Sequence, residues 1–432
     1  MKKTIIACLA TVFAYTIYAQ SGTNSPYSQY GFGILSEQST GFNRGMNGLG
    51  YGFHDHNQVN TLNPASYSSI DSLTFIFDAG VSGQITNFKE GNKKLNAKNA
   101  NFEYVVASLR LAKHLGMSFG LIPYSNIGYS YSTKDYVGEM KSALSTVTYK
   151  GSGGLRQVYL GLGWQPFKGF AVGFNGGYLW GDYNRSLVNT YSETSANTLG
   201  KYYTADVRSY QLTAGLQYTA KLSKKDAVTL GLVYNLAHKI GGEPTCKVVS
   251  NNTQTAVSDT TVYPKGDVLE LELPNTYGAG IMFNHNNKLK IGVDYTLQQW
   301  SKVSFPEYST TSGIADYELK KGLFKDRHKV TVGGEYCPQE MGHRFLNRIH
   351  YRAGVSYATP YLKINGVDGP KEISASLGLS IPIMNSWNSR SLLNISAQWV
   401  RQDSKQFITE NSFRINIGLT FNERWFMKWK VE

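Results

Sequence analysis

From Leu73 to Phe421 the chain changes between apolar and polar residues at every second position, in stretches of about ten residues. The last stretch is the clearest: Phe413, Ile415, Ile417, Leu419 and Phe421 alternate with Arg414, Asn416, Gly418 and Thr420. A strand with that pattern has one apolar and one polar face. Candidate strands lie at 73–85, 102–112, 116–131, 155–165, 170–182, 204–221, 227–239, 266–283, 288–301, 329–337, 348–358, 372–383, 391–401 and 411–421. The total of about fourteen is even, as single-chain bacterial barrels require, and each strand is long enough to cross a bilayer when tilted.

The connections support the same reading. Short turns at 113–115, 166–169, 222–226 and 285–287 alternate with longer segments at 86–101, 132–154, 183–203, 240–265, 302–328, 359–371 and 402–410. Short periplasmic turns opposite long external loops are the outer-membrane pattern, and they put both termini in the periplasm. A soluble sandwich gives no reason for such alternation. The fold class read from the chain is therefore all-β, a transmembrane antiparallel barrel. Asp78, Gln84, Asn175, Gln217, Asp294, His350, Arg352, Asn394 and Arg414 fall on its inner face. An interior so polar must be wet, plugged or hydrogen-bonded.

Ahead of the first strand the chain reads in two parts. Residues 1–19 form an export signal: Lys2 and Lys3, an apolar run from Ile5 to Ala14, and a cleavage site at Ile17-Tyr18-Ala19. Residues 20–71 lack sustained alternation but carry Phe32, Ile34, Leu35, Phe42, Met46 and Leu49, an apolar content that favours a packed hatch or plug. The barrel then occupies 72–421, and 422–432 form a periplasmic tail or a strand extension in which Trp425, Met427 and Trp429 alternate with Phe426, Lys428 and Lys430.

Composition narrows the chemistry. Tyr 30, Phe 20 and Trp 7 suit the aromatic girdles of a barrel. The formal charge is +13, and anionic partners are expected to be lipopolysaccharide phosphates and acidic head groups, since export separates the chain from nucleic acid. After the signal, no window approaches the length of apolar sequence that a membrane helix needs. Cys246 and Cys337 fall at opposite ends of the barrel, too far apart to bridge. His54-Asp55-His56 is thin support for a metal site, and a hydrated loop is the simpler reading. No histidine pairs with a serine and a carboxylate at an outward position, so no catalytic residue, metal or cofactor is expected.

The run Ser39-x-Gly41-x-x-Arg44, then Gly48 and Gly50, then Asn63-Pro64-Ala65 just before the first strand, resembles the FadL-like family of outer-membrane hydrophobic-compound transporters in its Bacteroidota form. Leu273-Pro274 with Tyr277-Gly278, Asp294-Tyr295 leading to Trp300-Ser301, and the ending Asn422-Glu423-Arg424-Trp425-Phe426 are similar to it as well. The resemblance implies a hatch inside a fourteen-stranded barrel, with Phe32, Leu35, Arg44, Met46, Asn63, Pro64 and Ala65 as hatch or ligand residues. It also implies a disturbed third strand opening sideways into the membrane. Here Pro123 sits mid-strand between Gly120 and Gly128, and a proline there implies a bulge or a gap. Where the family hatch usually carries acidic residues, this chain has His54-Asp55-His56.

Two functions follow. In one, small hydrophobic molecules bind near the hatch, the hatch moves, and they leave sideways through the gate at Gly120, Pro123 and Gly128. In the other, the barrel carries nothing and serves as a subunit of an envelope machine for protein secretion or outer-membrane protein assembly, held by envelope protein partners. The first requires a continuous apolar pocket lined by residues such as Phe32, Leu35 and Met46. The second requires a sealed lumen.

Overall fold

Alternation at period two places the apolar half of each strand outside and the polar half inside, the reverse of a soluble sandwich. In the last strand Phe413, Ile415 and Ile417 are 48%, 45% and 46% exposed, while Asn416 between them is 4% exposed. Apolar side chains facing outward and polar ones buried inward are stable only when the outside is lipid. The computed structural model describes residues 22–138, 143–252, 254–311, 314–386, 389–404 and 406–425; the export signal and the end of the tail lie outside them.

The wall is one closed antiparallel sheet of fourteen strands. In chain order these are β1 (Phe75–Glu90), β2 (Lys93–Ala112), β3 in two halves (Leu115–Pro123 and Ser125–Val137), β4 (Ala143–Phe167), β5 (Phe170–Tyr191), β6 (Thr198–Lys221) and β7 (Asp226–Asn235). They continue with β8 (Thr276–His285), β9 (Leu289–Gln298), β10 (Arg327–Tyr336), β11 (His350–Ala358), β12 (Lys371–Ser386), β13 (Ser389–Asp403) and β14 (Thr409–Glu423). Each pairs with its sequence neighbour, and β14 closes on β1 from Phe75↔Glu423 to Lys89↔Thr409. Closure removes every free edge along that seam.

Several segments read as loops are strand. β1 runs on to Glu90 and β2 begins at Lys93, so 86–101 is mostly hairpin, as are 132–154 and 183–203. Within 240–265, Thr245–Asn251 pairs with β6, and 302–328 holds the hairpin of Phe305–Thr311 with Ile314–Lys320. These extensions stand in water on both faces, so they lack the apolar half that signals a strand within the bilayer. Two expected strands are instead broken. The span 266–283 divides at Pro274, with Leu271–Leu273 pairing to His238–Gly241 before β8 begins at Thr276. The third strand divides at Tyr124, between its two halves.

Cys246 and Cys337 are free and buried, near opposite ends of the wall.

Candidate functional site

Much of the segment 22–72, hereafter the plug, packs against inward-facing residues of the wall. It contains little regular structure: a 3-10 turn at Pro26–Gln29, a single α-turn at Gly41–Arg44 and a 3-10 helix at Pro64–Ser69. The segment is held both by bonds within itself, such as Asn43 to the Leu49 carbonyl and Asn60 to the Gly50 carbonyl, each at 2.7 Å, and by its fit to the wall. Asn63 caps the last of these turns, its Oδ1 accepting from the Ala65 N–H at 3.1 Å. Its amide also donates to the Tyr51 carbonyl at 2.9 Å and to the Leu216 carbonyl of β6 at 3.2 Å. Pro64 then lies so close to β5 that any side chain on Gly173 would strike its backbone, and Met46 stands in the same relation to Gly354 of β11. Wall glycines at those positions let the plug backbone seat directly on the sheet.

Charge fixes the plug at two levels. Arg44 is buried and faces Glu103 of β2 at 2.9 Å, while its guanidinium also donates to the Ser39 and Glu37 carbonyls, each at 3.1 Å. Burial pushes the Glu37 carboxyl up, but Lys329, Arg44 and Arg414 outweigh burial and hold it below the usual carboxylate range. Nearer the short turns, Lys290 of β9 reaches Asp55 of the plug at 2.5 Å and Glu335 of β10 at 3.1 Å. Glu335 in turn holds Arg352 of β11 at 2.6 Å, and Arg352 donates to Gln58 of the plug at 3.3 Å. Lys290, Glu335 and Arg352 are direct cross-strand partners, so three adjacent strands present one row of charge to the plug. Asp294 adds an anchor through one carboxylate oxygen, its Oδ2 accepting from the N–H groups of Gly50 at 2.7 Å and Tyr51 at 2.9 Å. His54 bonds Gln217 at 2.7 Å, and burial keeps its imidazole below the ordinary value against the opposing pull of Gln217 and Asp55.

The long-loop mouth is closed by an apolar lid. Trp300 sits at its centre, with ring centroids 5.7 Å from Phe32, 5.6 Å from Phe324 and 5.1 Å from Tyr361. Phe305 packs edge-on to Phe32 at 5.4 Å. Tyr361 and Arg185 donate to the carbonyls of Gly33 and Gly31, so the lid also clasps the start of the plug.

Of the apolar residues expected to share a ligand pocket, only Met46 is set apart. Phe32 belongs to the lid and Leu35 packs against the same cluster, whereas Met46 lies in a separate cluster with Phe42, Leu49, Phe53 and Met282. Leu35 is half-buried, and its backbone pairs with Ser125 of β3. A cavity of about 210 Å³ borders Leu35, but Glu37, Gln211, Asp294, Lys329 and Arg414 also face it.

The third strand is interrupted where the gate residues sit. Gly120 pairs with Val106 of β2, but the β2–β3 ladder ends at Val105↔Leu121. Pro123 is the last residue of the lower half and pairs only with Arg156 of β4. Beyond it, Ile127 to Val137 pair with β4 alone, and residues 93–104 of β2 pair with β1 alone. The start of the plug fills the space between. Asn101 donates to the Gly22 carbonyl at 2.8 Å, Asn24 bonds Asn99, and Ser28 exchanges hydrogen bonds with the backbone of Gly128.

Sequence reasoning missed the Lys290–Glu335–Arg352 row and the lid. The row carried a signal, since its three residues sit on inward positions of consecutive strands. The lid carried none, because its aromatics come from separate loops.

Over residues 1–432 the chain matches the family model described as BamG. The chain belongs to the BamG family. This BamG-family barrel is similar in structure to the toluene transporter TodX of Pseudomonas putida: 14% identity, 91% of this chain and 100% of that one covered, TM-score 0.61. The Ralstonia pickettii toluene transporter TbuX gives 14% identity, 90% and 99% coverage and a TM-score of 0.58. The CymD monoaromatic hydrocarbon channel gives 16%, 91% and 98%, and 0.56. At such identity the likeness shows the fold alone, a FadL-like β-barrel. No curated protein sequence matches the chain.

Proposed function

We propose that this barrel is a sealed, non-transporting subunit of an outer-membrane protein machine, with both termini in the periplasm. The observation that carries the reading is the double closure of the lumen. A plug is wedged onto the wall by buried charge and backbone contact, an aromatic lid packs at the other mouth, and the cavity beside the plug is lined by charged and polar side chains. A small apolar molecule gains little from such a space, because binding pockets for it bury most of its surface against apolar groups. The family designation, BamG, favours outer-membrane protein assembly over secretion as the machine's task. Fold alone does not decide, since one fold hosts many functions.

Mild extraction from the native membrane tests the proposal. The expected result is a stoichiometric protein complex that persists through size exclusion, together with unchanged uptake of toluene by cells lacking the barrel. A protein that extracts alone, and whose loss abolishes such uptake, overturns it.

The broken third strand favours a second reading, lateral release of a hydrophobic compound at Pro123. Pro123→Val restores an N–H to the ladder. If that variant loses uptake of monoaromatic compounds, the transport reading gains; equal uptake removes it.

A further inference from the structure

Surface cations stand at both ends of the barrel. At the long-loop end some are matched, Lys239 with Glu270 at 3.0 Å, Lys320 with Glu307 at 3.3 Å, Lys325 with Asp368 at 2.7 Å and Arg401 with Asp403 at 3.1 Å, while exposed Lys93, Lys94, Lys134 and Lys321 form no ion pair among the described residues. At the short-turn end Lys113, Lys168, Lys224, Lys288 and Arg344 are all exposed, and none forms an ion pair among the described residues. The carboxylates available there are already engaged. Asp226 is bound by His285 at 2.6 Å, Asp71 faces His56 at 3.8 Å, and Glu340 accepts from Asn57 at 3.0 Å.

The cations come from five successive turns, β2–β3, β4–β5, β6–β7, β8–β9 and β10–β11, so they form a ring around the mouth. The turn between β10 and β11 adds exposed Met341, Phe345 and Leu346, with the Arg348 guanidinium 5.9 Å from the Phe345 ring. Glu340 of that turn reaches the plug through Asn57, so the apolar patch and the plug's own loop lie at one face.

We infer that this rim is the docking surface for an acidic periplasmic protein domain that covers the barrel mouth and seats an apolar contact on Phe345 and Leu346. Lipid head groups meet only the outer perimeter of a barrel. A body beneath the mouth meets the ring from all sides, and a ring of one sign focuses its field on such a body. The inference rests on the proposed function and its periplasmic assignment of the short turns.

The test places the full barrel in phosphatidylcholine nanodiscs and titrates it with a soluble polyglutamate peptide. Replacing Lys113, Lys168, Lys224 and Lys288 together by Gln is expected to weaken binding roughly 10- to 100-fold, whereas Lys239→Gln with Lys320→Gln and Lys325→Gln leaves it unchanged. A photo-crosslinker at Leu346 in cells is expected to give one discrete adduct with an acidic protein, absent in the fourfold variant. Equal peptide affinity in the fourfold variant overturns the inference, and so does an adduct with phospholipid alone. Should the fourfold variant not fold, wild-type affinity that holds steady as salt rises from about 0.05 M to about 0.5 M overturns it as well. A native complex that survives the fourfold variant keeps the proposed function and discards the rim.

Discussion

Replacing Glu335 by Gln isolates the contribution of charge to holding the plug. Its side chain is 2% exposed and is shared by Lys290, 10% exposed, and Arg352, 1% exposed. Gln keeps the shape and can still accept one hydrogen bond, but of the two buried cations only Lys290 then keeps a carboxylate partner, Asp55. Removing one partner from a buried ion pair costs about 3–5 kcal/mol, because the charge left behind has neither water nor a counter-ion. At 1.4 kcal/mol per tenfold, local opening of the plug around Gly50 to Gln58 becomes more frequent by roughly two to three and a half orders of magnitude. Hydrogen exchange read by mass spectrometry reports that opening directly, since the amides of Gly50 and Tyr51 are protected by Asp294 in the closed state.

The control is Lys325→Gln at the pair with Asp368, where the two side chains are 43% and 53% exposed. Exposed pairs are worth at most about 1 kcal/mol, so exchange there changes little. Lys290→Met in the Glu335→Gln background removes one of the stranded cations and is expected to restore part of the protection. If plug amides in Glu335→Gln exchange at the wild-type rate while the barrel stays folded, as judged by heat-modifiable migration, then charge does not hold the plug and the reasoning fails.

Other perturbations test separate parts of the seal. Gly173→Val drives a side chain into Pro64 and is expected to displace the 3-10 helix Pro64–Ser69, read as faster proteolysis within the plug of an otherwise folded barrel. Trp300→Ala removes the centre of the lid at a cost of about 3–5 kcal/mol, and the expected sign is entry of a thiol probe to a cysteine placed at Leu35; an unchanged labelling rate refutes the lid. The His54 imidazole is held below its ordinary value of about 6.5 by burial, so the closed plug disfavours the added proton. Plug protection is thus steady above that value and weakens as pH falls below it, and His54→Gln flattens the profile. A His54→Gln profile parallel to wild type argues against that assignment.

Much of the wall was legible because lipid enforces it. Each membrane-spanning stretch must show apolar residues to the bilayer at every second position, and that constraint writes itself into the sequence from Phe75 to Phe421. Above the bilayer the constraint lapses. Lys93 to Asn101 are all exposed or half-exposed, with Leu95, Ala97 and Ala100 scattered among polar residues, so strand there looks like loop. The break at Tyr124 was legible through Pro123, since a missing N–H leaves a mark that no packing hides. Arg44 and Asn63-Pro64-Ala65 stood out through family likeness, yet their partners, Glu103 and the Leu216 carbonyl, are fixed only by tertiary register. Phe32, Leu35 and Met46 looked alike as apolar residues of one segment. That Met46 parts from the other two depends on where an irregular chain turns, and an irregular chain has no period to read.

The polar inner face has a consequence that the strand pattern leaves open. Read from one strand at a time, Asn175, Gln217, Asp294 and Arg352 suit an aqueous bore as well as they suit a plug. What distinguishes the two is the pairing of those side chains. Asn175 bonds Tyr67, Gln217 bonds the Tyr51 carbonyl, Asp294 bonds two plug amides and Arg352 bonds Gln58. A plug with so little helix or strand carries many backbone groups unmatched by its own fold, and burying them unmatched is costly. The wall supplies the missing partners. The inner face is therefore polar because it completes the hydrogen bonding of an irregular plug, and moving the plug exposes both sets at once. That mutual dependence opposes movement of the plug.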